Sequence, residues 1–437
     1  MTLSTTQYPR FRPYQRGNVT SAPFWDRLSK GVQEAINVVS AVLPFRTNEY
    51  VTGQLIDWDN VPEDPIFQLT FPQRGMLADE DYNKIAALIA SGADKKVVEE
   101  AAMEIRLRLN PHPAGQTDNL PMLNGERLEG IQHKYRETVL FFPAQGQTCH
   151  AYCSFCFRWP QFVGSKELRF ENREASQLVA YLEQRPDVTD VILTGGDPMI
   201  MRTQVLREYI EPLLKADLPN LRTLRIGTKA LSFWPGRFVT DDDADDLMKL
   251  FEEVTSSGLH LAIMAHICHP TELKTDIAKE AVERIRNTGG TLFTQSPLVR
   301  HVNDKADAWA ELWDDAVRMG ITPYYMFVER DTGASRYFEI PLVETWEIHQ
   351  AAALQVSGLA RTVRGPVMSA NLGKVEILGP IERDSSEPAL ALQFLQARDA
   401  GRVYQPFKAK LDPKATWFEQ LAPFGPADEK FFSPDAF

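Results

Sequence analysis

Three of the four cysteines in the chain fall within eight residues: Cys149, Cys153 and Cys156 in "TCHAYCSFCFRW". Thiolates at C-x3-C-x2-C spacing suit three irons of a [4Fe–4S] cube, whose fourth iron is then left open to chemistry. A zinc site would need a fourth ligand, with His150 or His266 as candidates and no second C-x-x-C to draw on. A third reading takes the cysteines as small buried residues holding no metal. The remaining cysteine, Cys268, stands far off in sequence, so the four do not form a paired disulfide framework.

Such a loop needs a scaffold, and the sequence supplies one. Six apolar runs follow in order: "ETVLFF" at 137, "VTDVILTGG" at 188, "LRTLRIGT" at 221, "LHLAIMAH" at 259, "GTLFTQSP" at 290 and "TPYYMFVE" at 322. Helix-like spacers separate them; in one, Leu273, Ile277, Ala281 and Ile285 recur every four residues before Gly289 and Gly290. Six β/α units predict a parallel sheet, either curled into a partial barrel or doubly wound, with active-site residues on the loops after the strand C-termini. The cysteines lie just past the first run. After the second comes "TGGDP", where Gly195 and Gly196 leave room for a ligand to approach the backbone and Asp197 and Pro198 fix the turn. "HICHP" follows the fourth, with His266 and His269. "TQSPLVRHVND" closes the fifth, with Gln295, Arg300, Asn303 and Asp304.

The ordered set "HKYRETVLFF", "CHAYCSFCFRWPQFVG", "LTGGDPM", "RIGTK", "HICHPTEL", "TQSPLVRHVND" and "PYYMFVERD" resembles the lysine 2,3-aminomutase family of radical S-adenosylmethionine (SAM) enzymes. The resemblance runs over roughly residues 50 to 380 and includes "DPIFQLTFPQRGML". It implies a fold: α/β, a partial (β/α)6 radical SAM barrel with an N-terminal helical region and a C-terminal extension. It also implies a [4Fe–4S] cluster on Cys149, Cys153 and Cys156 that cleaves SAM to a 5′-deoxyadenosyl radical, with pyridoxal 5′-phosphate (PLP) carrying a migrating amino group. Carried over residue by residue, Gly195, Gly196 and Asp197 match the SAM-facing turn and His266 a histidine near SAM. Gln295 matches a pocket glutamine, Arg158 the arginine that pairs with the substrate carboxylate, and Asp304 an acid that helps hold a lysine ammonium.

The C-terminal part departs from the family pattern. The family carries PLP on the lysine of a "DAPGGGGK" stretch; counting from the shared Ser357 and Gly358, Lys374 in "GPVMSANLGK" stands in register, with Ala370, Asn371 and Leu372 where the family has glycines. Lys134 matches one basic residue near the PLP phosphate, Thr138 occupies the place of the other, and Val367 replaces the family's second ammonium-binding aspartate. Lys374 is therefore either the PLP lysine or a solvated lysine at the start of the strand "KVEIL". Three functions stay open: an aminomutase with a substrate other than or broader than lysine, a PLP-free radical SAM enzyme modifying an amino acid, peptide or protein side chain, and a non-catalytic iron–sulfur sensor.

The chain divides by pattern into a mainly helical region at 1–125, the barrel at 126–340 and a C-terminal region at 341–437. "SKGVQEAINVVSAVLPF", "DKKVVEEAAMEIRLRLNPHP" and "LALQFLQARDAGRVYQPF" each suggest a helix, and Trp417, Phe418, Phe424, Phe431 and Phe432 form an aromatic tail suited to cover a core or a subunit contact. With 437 residues, 43% of them hydrophobic, and a net charge of −12, the chain has the core of an ordinary globular enzyme and no broad basic surface for nucleic acid or acidic lipid. It shows no apolar run near 18 residues and no signal peptide pattern, so a cytoplasmic location is expected. The expected partners are a small amino acid-like substrate, an electron donor such as flavodoxin or ferredoxin, and a further copy of the chain.

Overall fold

The computed structural model describes residues 10–110, 119–163, 170–381, 387–397 and 399–433. One sheet of eleven strands organises them: β1 (Ile131–Tyr135), β2 (Thr138–Phe141), β3 (Asp190–Leu193), β4 (Thr223–Thr228), β5 (His260–His266), β6 (Thr291–Leu298), β7 (Ile321–Val328), β8 (Arg364–Ala370), β9 (Gly373–Ile381), β10 (Ala389–Ala397) and β11 (Pro406–Lys410). Spatial order follows chain order throughout. Strands β2 to β7 are mutually parallel and coincide with the six apolar runs. Because the order never reverses, there is no switch point, and the doubly wound alternative gives way to a partial barrel.

Alternation along the strands separates two faces. Val191, Leu193, Leu224, Ile226, Leu261, Ile263 and Leu292 are buried in one core with helix residues such as Leu178, Leu206, Leu247, Ile285 and Trp309. Each such side chain contributes roughly 1.5–3 kcal/mol by leaving water. The intervening residues, among them Ile192, Arg225, Phe293 and Gln295, are only half-buried and face the lumen. The helix after β5 spans Asp276–Asn287, with Thr275 as its cap and Ile277, Ala281 and Ile285 buried; Leu273 belongs to the turn before it, Pro270–Leu273.

The N-terminal helices Lys30–Val39, Pro65–Thr70, Asp79–Ala90 and Lys95–Leu109 share a second core with Ala151, Phe155, Trp159, Trp234 and Val299, all on the loops beyond the strand C-termini. This region thus covers the mouth of the barrel.

The C-terminal part corrects one expectation. "LALQFLQA" is a strand, not a helix: Leu390, Leu392 and Phe394 are buried at alternate positions and β10 pairs antiparallel with both β9 and β11. Cross-strand pairing on both edges overrides the helix propensity of Ala, Leu and Gln. Trp417, Phe418 and Phe431 cover this sheet, with Phe407 and Phe431 stacked at 4.6 Å. The sheet also curls until its distant strands meet: Lys134 Nζ on β1 donates to the Ala370 carbonyl on β8 at 2.5 Å.

Candidate active site

The loop after β2 carries the three cysteines, and the N-terminal region holds it in place. Tyr152 N–H donates to the Arg46 carbonyl (2.8 Å), Ser154 N–H to Leu69 (2.9 Å) and Asn48 Nδ2 to the His150 carbonyl (3.2 Å). Within the loop, Cys156 N–H donates to Cys153 and Trp159 N–H to Cys156. Burial pushes all three thiols up, Cys156 to about 11, and Cys149 is raised further by Asp197, Cys156 and Cys153. Buried thiols gathered in one loop hold their protons by themselves, and the irons of a cluster would supply the positive charge that lets them bind as thiolates. Among the described residues no three His, Cys, Asp or Glu side chains converge on a single ion, whereas a cube spreads its ligands over separate irons. His150 is buried with its ring edge-on to Phe11, and burial drops it to about 3. Cys268, set apart in sequence, comes into range of Cys153, and its sulfur lies 3.5 Å from Lys229 Nζ.

The glycine turn packs directly against the cysteine loop. A Cβ on Gly195 would stand 2.2 Å from Gln147 Nε2, and one on Gly196 2.4 Å from the Thr148 nitrogen. Their lack of a side chain lets the cysteine loop approach the backbone. Asp197 completes the junction: its N–H donates to the Gly146 and Thr148 carbonyls, and its carboxylate accepts from Met199 N–H, Thr228 Oγ1 and Lys229 N–H. Burial raises its carboxyl to about 6.

His266 and Gln295 are cross-strand neighbours on β5 and β6. The His266 ring lies 6.1 Å from Phe155 of the cysteine loop, and its buried Nε2 has no partner. Arg158 is 8% exposed, sits 4.3 Å over the Phe142 ring and leaves Nη1 without a partner. Burial lowers it to about 10. A buried guanidinium with an orphan donor has room for an acceptor that the protein itself does not supply. Asp304 is instead engaged in its own turn, where Oδ2 accepts from His301 N–H at 3.1 Å.

Lys374 points from β9 into the lumen, 4.5 Å over the Tyr325 ring and 5.8 Å over Tyr135. Burial, then Arg225, Lys134 and Arg364, bring it down to about 7, with Asp190 opposing. An amine half-deprotonated at neutral pH inside a cage of cations fits a lysine that holds an aldehyde cofactor bearing a phosphate.

No family profile matches the chain. A protein of Aquifex aeolicus named "Putative L-lysine 2,3-aminomutase" is 31% identical over 396 residues, covering 91% of this chain and 92% of its own length. This chain belongs to the lysine 2,3-aminomutase family. An L-lysine 2,3-aminomutase of Haemophilus influenzae is 29% identical over 259 residues, 57% of this chain and 71% of its own. Among solved structures, a radical SAM methyltransferase from Sphaerobacter thermophilus aligns at 15% identity with a TM-score of 0.38, over 64% of this chain and 91% of its own.

As a lysine 2,3-aminomutase family member the chain is a radical SAM enzyme of aminomutase type, and its departures from the family pattern can be read in the fold. Where the family has its glycine stretch, Ala370 and Gly373 close a tight hairpin between β8 and β9. Val367 is fully buried beside Tyr325 and Leu395. Thr138 donates to Asp190 Oδ2 at 3.0 Å, so its hydroxyl is already engaged. Two cations that sequence reading missed act on Lys374. Arg225, on β4, donates to Asp190 Oδ1 at 2.9 Å, and Arg364 opens β8. Arg225 had a signal: a charge alternating with Leu224 and Ile226 in a buried strand must face a lumen.

Proposed function

We propose that this chain is an amino acid 2,3-aminomutase with a [4Fe–4S] cluster on Cys149, Cys153 and Cys156, SAM at the open iron and PLP on Lys374. The observation that carries the reading is the pairing of two sites on one barrel: three thiols at the mouth and a lysine of depressed pKa in a cage of cations in the lumen. When bound, the cluster and SAM supply an organic radical able to take hydrogen from an unactivated carbon, and PLP supplies the carbonyl that carries the amino group.

The chain's own residues prepare the site. Lys374 is free to lose its proton near neutral pH, because burial and Arg225 disfavour the charged form. Lys134, Arg225 and Arg364 offer a phosphate its counter-charge. Arg158 takes the substrate carboxylate with its unpartnered Nη1. Gly195, Gly196 and Asp197 lock the cysteine loop to the strand ends, His266 and Gln295 line the space beneath it, and the N-terminal region keeps water from the mouth. Residues 1–125, 126–340 and 341–437 are read as cover, barrel and lysine-bearing extension, and a donor such as flavodoxin or ferredoxin would deliver the electron.

The test is anaerobic reconstitution with iron, sulfide and PLP, followed by reduction in the presence of SAM and each common amino acid. Formation of 5′-deoxyadenosine together with a β-amino acid is expected. SAM cleavage with no β-amino acid would move the assignment to a PLP-free radical SAM enzyme, a reading that the hairpin at Ala370–Gly373 favours. No cleavage under strong reductant would overturn both.

A further inference from the structure

Two guanidinium groups approach the ring of Phe157, next to the last cysteine. Arg158 Cζ is 5.1 Å and Arg330 Cζ 5.4 Å from the centre of its ring, which puts the two charges within roughly twice that distance of each other. Arg330 also lies 5.7 Å over Trp417. Among the described residues neither guanidinium forms a salt bridge; Asp331 and Glu419 act on Arg330 only from beyond that range. Arg330 is within electrostatic reach of Arg158 and of Tyr135, the ring that Lys374 overlies.

Two half-buried or buried cations that repel each other are costly unless an anion joins them. The nearby acids do not supply that charge: Glu329, for one, is kept protonated by its burial. Asp190 is committed to Arg225 and Thr138, and Val367 is apolar. Glu329 is buried with Oε2 unpartnered, and the charge that acts on it is that of Glu339 rather than either guanidinium.

We propose that the substrate is an amino acid whose side chain ends in a carboxylate, with Arg158 binding one carboxylate and Arg330 the other. Planar forks of donors hold carboxylates in pairs of parallel hydrogen bonds, and a diacid joins the two charges through one short chain. Arg330 is thereby a specificity-determining residue that rejects a terminal ammonium by like charge. The inference rests on the aminomutase reading for Arg158 and deepens it.

Calorimetric titration of L-glutamate, L-aspartate and L-lysine into the full-length protein reads binding without reduction or turnover. One of the two diacids is expected to bind at least tenfold more tightly than lysine, and Arg330→Met to remove that preference, while Arg330→Lys keeps part of it. Circular dichroism checks that each variant is folded. Tighter binding of lysine, unchanged diacid affinity in Arg330→Met, or no diacid binding would each overturn the proposal, the first by making Glu329 the acceptor of an ammonium. Release of 5′-deoxyadenosine, measured on the reconstituted protein, separates the two failures. Cleavage without diacid preference sinks only this inference, and diacid binding without cleavage sinks only the radical SAM reading.

Discussion

Lys374 Nζ lies 4.5 Å over the ring of Tyr325, and its strand pairs with neither of the strands bearing the two cations that act on it most, Arg225 and Lys134. With its pKa near 7, the amine becomes nucleophilic through neutral pH rather than above pH 10. Borohydride trapping with PLP should therefore give one adduct on Lys374, rising through about pH 7 to a plateau, and none there in Lys374→Ala. Peptide mass mapping decides it. Scattered adducts that persist in the variant would leave Lys374 without a cofactor role.

The same shift has a consequence for stability, with a definite sign. The folded pKa lies below the unfolded one, so between about pH 7 and 10.5 the unfolded chain holds a proton that the folded chain has lost, and stability rises with pH across that window. Lys374→Met should gain most over wild type below pH 7, and the gain should shrink toward pH 10. Chemical denaturation of both proteins at pH 6 and 9 measures this; a constant difference would contradict it.

Removing Arg225, the largest electrostatic influence on Lys374, should let the lysine hold its proton longer. In Arg225→Met the midpoint of adduct formation is expected to move up by about one pH unit, since a unit corresponds to about 1.4 kcal/mol of interaction. An unmoved midpoint would mean that burial and the other cations, Lys134 and Arg364, set the value without Arg225.

Gly196 touches the cysteine loop so closely that Gly196→Ala should displace Thr148 and lower the iron bound per chain several-fold while leaving far-ultraviolet dichroism unchanged. Gly53, which has nothing within 4 Å of a built Cβ, provides the control in Gly53→Ala. Serine variants of Cys149, Cys153 and Cys156 should each lose iron, whereas Cys268→Ala should keep it. Loss of iron in Cys268→Ala would contradict the three-ligand assignment.

Behind the cysteine loop, Lys229 donates to both carboxylate oxygens of Glu272 at 3.0 and 3.1 Å, with side chains 8% and 0% exposed. Leaving one charge of such a pair alone costs about 3–5 kcal/mol. Glu272→Gln should show that loss in denaturant unfolding, and Lys229→Met with Glu272→Leu should recover much of it. Equal losses in the single and double variants would mean that the site cannot repack.

Sequence by itself determined the six β/α units, the loop that bears the cysteines and the family, because strand alternation, helix period and motif spacing are local properties of the chain. His266 and Gln295 were legible for the same reason: one ends a recognisable strand and the other lies within the next. Only tertiary structure decided that Gly195 and Gly196 serve the cysteine loop, that Cys268 approaches Cys153, and that Arg225, Lys134 and Arg364 surround Lys374. It also turned "LALQFLQA" into a strand, by providing partners on both edges. These facts depend on how far the sheet curls, which brings β1 and β8 within a hydrogen bond of each other. Curl is a sum of twists over many strands and has no signature in any one segment.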